Sequence, residues 1–170
     1  MSAVVLNVDD NLDDVLLLKR ACHKADAKFD VKFVEDGEFA IEYMKGHAPY
    51  NDRSKHPIPN LILLDLNMPR KTGFEVLEWL KANAEFRKIP VAIFTSSTNT
   101  NDIRDAVSRG ADCYLEKPLN YENLIVLMER IDSVLRNRTV PISIALAELP
   151  GCCAAADGFQ RSQSKGNSAD

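Results

Sequence analysis

The sequence lacks the features that mark membrane proteins and proteins that bind nucleic acid broadly. Among its 170 residues no apolar run reaches the roughly 18 residues that a membrane-spanning helix needs, and no charged-then-apolar leader opens the chain. The formal net charge of −4 argues against broad binding of nucleic acid through its phosphates. We therefore expect a cytoplasmic protein that contacts neither membrane nor nucleic acid directly.

Glycine-rich phosphate loops and cysteine frameworks are also missing. The turn after the first apolar segment reads DDNL at positions 9–12 instead of GxxxxGK or GxGxxG, which argues against a nucleotide- or flavin-binding module. The four cysteines have neither zinc-ligand nor disulfide spacing. We expect Cys22 and Cys113 to be small core residues, and Cys152-Cys153 to be idle thiols in a flexible end.

What the chain does contain is a fivefold alternation of short apolar segments with amphipathic ones. The strand-like segments cover residues 3–8, 30–34, 61–65, 91–95 and 113–115, and the helix-like segments cover 11–25, 37–45, 74–84, 101–109 and 121–137. This alternation predicts a mostly parallel sheet with helices on both faces, its strands ending at one rim. We expect the first helix to turn inward a broad stripe made of Leu12, Val15, Leu16, Leu18 and Cys22.

Two segments lie outside this pattern. Residues 46–60 form a long polar connection with three prolines, which predicts a surface loop. Residues 139–170 are predicted to be a largely disordered tail after a folded domain at 1–138, because the end of the chain is rich in Gly, Ser, Gln, Asn and Asp. Within that tail, the apolar residues of 140–149 are expected either to dock on the domain or to mediate self-association.

Asp65 is the residue of the pattern with the clearest chemical meaning. A carboxylate is costly in a core but suits the carboxyl-end rim of a parallel sheet. In the strand order 2-1-3-4-5 the first and third strands are neighbours, which brings Asp9 and Asp10 close to Asp65. Three carboxylates so close repel one another unless a cation joins them, and a hard divalent ion, most simply Mg²⁺, fits. The alternative is that Asp9 and Asp10 only cap the first helix.

Two further strand ends carry groups that suit a phosphoryl group. Thr95 and Ser96 close the fourth strand, and Lys117 follows the fifth. A hydroxyl, an ammonium and a metal ion facing one carboxylate form a site for phosphoryl transfer in which Asp65 is the nucleophile. Taken alone, Lys117 is an ordinary solvated lysine and Thr95 an ordinary strand residue, so the prediction depends on their combination.

This combination resembles the receiver domain of the two-component response regulator family, which has the flavodoxin-like (βα)5 fold, a three-layer sandwich with sheet order 2-1-3-4-5. The resemblance covers about residues 3–138, and its motifs are Asp9-Asp10, DLNMPRKTG at 65–73, Thr95, and YLEKP at 114–118. It implies phosphoryl transfer from a sensor histidine kinase to Asp65. Output would follow through a downstream protein, a phosphorelay partner or a homodimer.

The resemblance also implies how the metal and the phosphoryl group are held. Asp10 and Asp65 would bind Mg²⁺ directly, together with the Asn67 backbone carbonyl, and Asp9 would act through a water. Lys117 would contact the phosphoryl group, and the Lys117–Pro118 bond would be cis, an isomer essentially confined to proline.

A switch is implied as well. The hydroxyl of Thr95 would move toward the phosphoryl group, and Tyr114 would then turn inward; the plainer interpretation of Tyr114 is a partly buried sheet aromatic. Asn67 and Ser97 occupy the family positions that tune the lifetime of the phosphoryl group. Both are neutral and polar, so we expect slow self-dephosphorylation with a half-life of minutes.

Apart from its own phosphoryl transfer and slow self-dephosphorylation, we do not expect the protein to be an enzyme. A haloacid-dehalogenase-like phosphatase would need a second aspartate at position 67, where the chain has Asn. A pseudo-receiver acting only as a scaffold is a further alternative, which the complete acidic set, Thr95 and Lys117 disfavour.

A narrower resemblance concerns the long loop at 46–60, the motif LNMPRKTG at 66–73 and the expected lack of an output domain. These features resemble the small regulators that pair with bacterial phytochrome-type histidine kinases. The loop histidines, His47 and His56, are expected to be solvated surface residues and not metal ligands.

Overall fold

The computed structural model describes residues 2–137, 141–147 and 149. Five parallel strands form one sheet in the order β2-β1-β3-β4-β5, which confirms the predicted flavodoxin-like architecture. The strands are β1 Val4–Val8, β2 Asp30–Val34, β3 Leu61–Leu64, β4 Val91–Thr95 and β5 Cys113–Glu116. The helices are α1 Leu12–Lys24, α2 Gly37–Lys45, α3 Gly73–Ala82, α4 Thr100–Ser108, α5 Tyr121–Arg136 and α6 Ile142–Ala147.

Backbone hydrogen bonds continue past the ends of neighbouring strands and align the residues that follow them. The Asp65 amide donates to the Val8 carbonyl over 3.0 Å, and the Lys117 amide donates to the Thr95 carbonyl over 2.8 Å. Because all the strands run parallel, these residues meet at one rim of the sheet.

Each face of the sheet has its own apolar core. One core packs β1, β3 and β4 against α2, α3 and α4, and the other packs the opposite face against α1, α5 and α6. β1, β3 and β4 are buried along their whole length, as expected of strands covered on both faces. β2 and β5 are the edge strands, and β2 carries the ion pair of Lys32 with Asp30, whose charged atoms are 2.8 Å apart.

The first helix differs from its prediction in two respects. Asn11 caps α1, since its side chain accepts from the amides of Asp13 and Asp14; the alternative that Asp9 and Asp10 serve as its caps is therefore wrong. The predicted inward stripe was too broad, because Leu12 and Leu16 are 69% and 50% exposed. A single helix face reaches the sheet, and Val15, Leu18 and Ala21 occupy it.

The loop at 46–60 is anchored to the end of α2. The Arg53 guanidinium donates to the carbonyl of Tyr43 over 2.8 Å, to that of Met44 over 2.5 Å and to that of His56 over 3.1 Å. These carbonyls include two that the end of a helix leaves without intrahelical partners. The Tyr43 hydroxyl in turn donates to the Pro57 carbonyl over 2.9 Å.

The two loop histidines differ in their surroundings. His47 is exposed and lies 2.7 Å from a Glu42 carboxylate oxygen, in line with the prediction of a surface residue. His56 is half-buried instead, with its ring edge-on to those of Tyr43 and Tyr50, at centroid distances of 5.7 and 5.2 Å. The loop therefore has a small aromatic cluster of its own.

The described part of the tail lies against the domain. Leu146 and Leu149 are buried in the core that α5 and β5 share, so this stretch docks, one of the two roles foreseen for 140–149. The rest of the segment predicted to be disordered, which includes Cys152 and Cys153, lies outside the described residues.

Two cysteines belong to the described chain, and both lie at the core as expected. Cys113 is fully buried, and Cys22 is half-buried at the edge of the same cluster. The expectation of no disulfide is wrong for Cys113, which is disulfide-bonded. Cys22 is a free thiol.

The peptide bonds also differ from the prediction. In the described chain the cis bond is Ala48–Pro49, so Lys117–Pro118 is trans and the predicted cis bond there is wrong. Within the same residues no helix has both the length and the apolar character needed to cross a membrane.

Candidate functional site

Three carboxylates meet at the carboxyl-end rim of the sheet, as predicted. Asp9 follows β1 and Asp65 follows β3, and both are buried, whereas Asp10 is exposed. One carboxylate oxygen of each residue lies within 4.8 Å of the others. We call Asp9, Asp10 and Asp65 the acidic cluster.

The loop after β3 fixes the position of Asp65. The Asn67 amide donates to Asp65 Oδ1 over 3.2 Å, which turns the chain back toward the cluster. At the start of α3, a Cβ on Gly73 would lie 2.1 Å from the Asp65 carbonyl oxygen. Only glycine allows so close an approach. The helix begins there with Thr72 as its N-cap, in a capping box with Glu75.

Lys117 is the cation of the site. Its Nζ lies 2.8 Å from Asp65 Oδ2, the carboxylate that the sequence predicted it to face. It also lies 2.8 Å from Asp9 Oδ2 and 2.8 Å from Asp14 Oδ2, two contacts that the sequence did not predict. Lys117 is mostly buried, so these ion pairs are only weakly screened by water. Asp14 lies in the first turn of α1, and no motif or spacing in the sequence pointed to its contact with Lys117.

Burial and charge act in opposite directions on the ionisable groups of the site. Burial raises the pKa of Asp9, and the hydrogen bond and charge of Lys117 offset that only in part. Burial alone would lower the pKa of Lys117, but its hydrogen bonds to Asp14, Asp65 and Asp9 leave it above its usual value. Lys117 therefore carries a full charge at neutral pH.

Thr95 and Tyr114 are joined through Ser97, in the loop after β4. The Ser97 amide donates to Thr95 Oγ1 over 3.4 Å, and the Tyr114 hydroxyl donates to the Ser97 carbonyl over 2.9 Å. The Ser97 hydroxyl lies 2.6 Å from Asp102 Oδ2, in the first turn of α4. Tyr114 is already buried. No sequence pattern pointed to Asp102 as a partner in this network.

The donor set of the acidic cluster fits a hard divalent cation. All its side-chain donors are carboxylate oxygens, and no thiol or imidazole from the described chain joins them. Mg²⁺, Ca²⁺ and Mn²⁺ favour such oxygen donors. The cluster also gathers more negative charge than Lys117 alone can balance.

Comparison with known proteins identifies the family. The model of the response regulator receiver domain matches residues 5–129. The chain belongs to the response regulator receiver family. Response regulator Rcp1 of Synechocystis sp. is 33% identical over 139 residues, which cover 81% of this chain and 92% of Rcp1. Receivers act in two-component signalling, between histidine kinases and downstream partners.

Solved receiver structures agree with the fold. The phosphorylated cyanobacterial phytochrome response regulator RcpA has a TM-score of 0.74 at 29% identity, over 82% of this chain and 98% of its own. The Mn²⁺-bound form of Rcp1 has a TM-score of 0.71 at 33% identity, over 82% and 99%. A response regulator in red light signalling of R. palustris has a TM-score of 0.76 at 31% identity, over 81% and 96%.

Proposed function

We propose that this receiver accepts a phosphoryl group on Asp65 from the phosphohistidine of a sensor kinase and then changes its contacts with other proteins. The observation that carries the proposal is the convergence of Lys117 on Asp65, at 2.8 Å, beside the acidic cluster of a receiver-family domain. An oxygen of Asp65 would form the new bond to phosphorus while the phosphorus–nitrogen bond of the phosphohistidine breaks.

Within this proposal each residue of the rim has one task. Asp10, Asp65 and the Asn67 backbone carbonyl would hold Mg²⁺, with Asp9 acting through a water. When bound, the ion lowers the repulsion between the carboxylate and the incoming phosphate. The Mn²⁺-bound form of Rcp1 supports a divalent ion in this family, and the oxygen donors support Mg²⁺. Lys117 would bind the phosphoryl oxygens.

The signal would leave the site through Thr95 and Tyr114. Movement of the Thr95 hydroxyl toward the phosphoryl group would break or lengthen its contact with the Ser97 amide. The Ser97 carbonyl holds the Tyr114 hydroxyl, so the two side chains would respond together. A contact made in only one of two states shifts the population toward that state.

We further propose that the receiver has no enzymatic role beyond its own phosphoryl transfer and slow self-dephosphorylation, with a half-life of minutes. Asn67 and Ser97 occupy the positions that tune the lifetime of the phosphoryl group, and both side chains are neutral and polar. Loss of acid-labile phosphate from the isolated phosphoprotein, followed over time, tests this, and persistence for many hours would contradict it.

The kinase is proposed to be of the phytochrome type. The similarity to RcpA and to Rcp1, each over most of its length, supports this choice. Output is proposed to pass to a downstream protein or phosphorelay partner, or through a homodimer, without nucleic acid or membrane, in the cytoplasm. The domain is proposed to cover residues 1–138, with 139–170 as a largely disordered appendage.

Labelling by acetyl phosphate tests the proposed phosphoryl transfer. Wild type should become phosphorylated with Mg²⁺ and remain unlabelled without it. Asp65→Asn keeps the shape of the side chain but lacks the nucleophilic oxygen, so it should take up no label while melting at a similar temperature. Label that persists in this variant would assign the phosphoryl group to another residue.

A further inference from the structure

Lys117 binds a carboxylate that the acidic cluster does not include. Its Nζ lies 2.8 Å from Asp14 Oδ2, the same distance as from Asp9 Oδ2 and Asp65 Oδ2. An ammonium group has three N–H donors, so each donor can serve one of these carboxylates. Asp14 comes from the first turn of α1, whereas Asp9 and Asp65 follow strands.

The three acceptors of Lys117 differ in what else they can bind. Asp9 and Asp65 belong to the acidic cluster, whose oxygens lie within 4.8 Å of one another, and Asp14 does not. A divalent cation in the cluster would compete with the ammonium for Asp9 and Asp65, because like charges repel at such distances. Such competition would leave the contact of Lys117 with Asp14 intact, because Asp14 does not belong to the acidic cluster.

We propose that Asp14 is a positioning residue for Lys117. It holds the ammonium at the margin of the acidic cluster, so that a divalent cation can enter and two N–H donors remain for the phosphoryl group on Asp65. This inference rests on the proposed function, to which it adds a side chain that contacts neither the phosphoryl group nor the cation. Holding a charged donor in place before the reaction reduces the reorganisation that the reaction requires.

A simpler explanation of Asp14 is available and can be separated from this one. Asp13 and Asp14 both lie in the first turn of α1, where negative charge stabilises the amino end of a helix. Asp13 has no ion pair within the described chain, although it is adjacent to Asp14 and carries the same charge. Asp13→Ala is therefore a matched control for Asp14→Ala.

The experiment measures Mg²⁺ affinity by calorimetry and the rate of labelling by acetyl phosphate. Asp14→Ala and Asp13→Ala are compared with wild type, and both substitutions are repeated in a Lys117→Met background. In the presence of Lys117 we expect Asp14→Ala to bind Mg²⁺ about threefold to tenfold more weakly than Asp13→Ala, as is common for directly contacting charges. Its labelling should be slower to a similar degree, and in the Lys117→Met background the two variants should bind Mg²⁺ equally.

Two results would overturn the inference. Equal behaviour of the two variants in the presence of Lys117 would leave Asp14 with a helix-end role only. A difference in Mg²⁺ affinity that persists after Lys117→Met would mean that Asp14 acts on the cluster directly. Asp14→Asn, which keeps the size of the side chain, replaces Asp14→Ala if the latter melts early.

Failure of the proposed function can be told apart from failure of this inference. If wild type binds Mg²⁺ but takes up no label, phosphoryl transfer to Asp65 is refuted, and the Mg²⁺ affinities still decide the role of Asp14. If wild type is labelled and the two variants do not differ, only the role of Asp14 is refuted. If wild type neither binds Mg²⁺ nor takes up label, both are refuted.

Discussion

Asn7 places a polar side chain inside an otherwise apolar central strand. It is buried in β1, and its Nδ2 has no hydrogen-bond partner within the described chain. A buried donor without a partner loses its hydrogen bonds to water and gains none in return.

Replacement of Asn7 by valine should therefore stabilise the protein. We expect Asn7→Val to raise the free energy of unfolding by about 1–2 kcal/mol, measured by urea denaturation. Valine also suits a strand better than asparagine does. Asn7→Ala, which removes the amide but leaves a small cavity, should gain less; a loss of stability in the valine variant would show that the amide is satisfied.

Cys22 should be a poorly reactive thiol. Burial raises its pKa to about 11, so the thiolate that reacts with alkylating agents is scarce at neutral pH. We expect iodoacetamide to modify Cys22 more than about a hundredfold more slowly than an exposed thiol. Mass spectrometry of the tryptic peptide 21–24 measures this, and the free peptide ACHK is the control. Equal rates in protein and peptide would contradict the burial argument.

At the scale of elements, the Arg53 guanidinium joins the loop at 46–60 to α2, alongside the Tyr43–Pro57 hydrogen bond. Arg53 is held by three backbone carbonyls, whereas the Lys55 side chain makes an exposed ion pair with Asp52 at 3.3 Å. Hydrogen bonds from a charged group to buried acceptors stabilise far more than exposed ion pairs do.

We expect Arg53→Ala to lower the free energy of unfolding by about 2–3 kcal/mol and Lys55→Ala by less than about 0.5 kcal/mol. Arg53→Ala should also speed limited proteolysis within 47–59, because the loop loses its anchor while the sheet persists. Denaturation curves and the mapped cleavage sites test this. Similar stability of the two variants would mean that the aromatic cluster alone holds the loop.

α6 offers a comparable test within one short helix. Leu146 is fully buried against α5 and β5, whereas Ile144 on the same helix is 52% exposed. Removing a buried leucine side chain leaves a cavity, but removing an exposed one does not. We expect Leu146→Ala to cost about 2–4 kcal/mol of unfolding free energy and Ile144→Ala less than about 0.5 kcal/mol. Equal and small losses would mean that α6 detaches readily.

At the scale of the whole molecule, the fold was predictable because the apolar pattern changes period at every element. β2, β4 and α2 have their predicted bounds, and the other strands and the helices α1, α3, α4 and α5 differ by one or two residues at their ends. Such shifts are usual where helices fray and strands leave the sheet. Proximity of Asp9, Asp10 and Asp65 followed from parallel strands in the order 2-1-3-4-5, in which the carboxyl ends of the first and third strands are neighbours.

The rest depended on the paths of side chains and loops, which periodicity does not encode. Asp14 reaches Lys117 across 103 positions of sequence, and Arg53 reaches α2 only through the fold of its own loop. The sequence leaves two roles open for Tyr114, because its hydrogen bond to the Ser97 carbonyl depends on the path of the loop after β4. α6 was missed as a helix because its apolar stretch is too short to show a period.

The Asp30–Lys32 ion pair on the edge strand β2 has a consequence for assembly. An unpaired strand edge is a template to which another chain can hydrogen-bond, and charged side chains along it make such annealing unfavourable. β2 carries this pair, and the Lys19 ammonium lies 4.4 Å from the centre of the Phe33 ring on the same strand. Two copies of the protein should therefore not fuse their sheets into one continuous ribbon through β2, and concentrated solutions should resist fibril growth from that side.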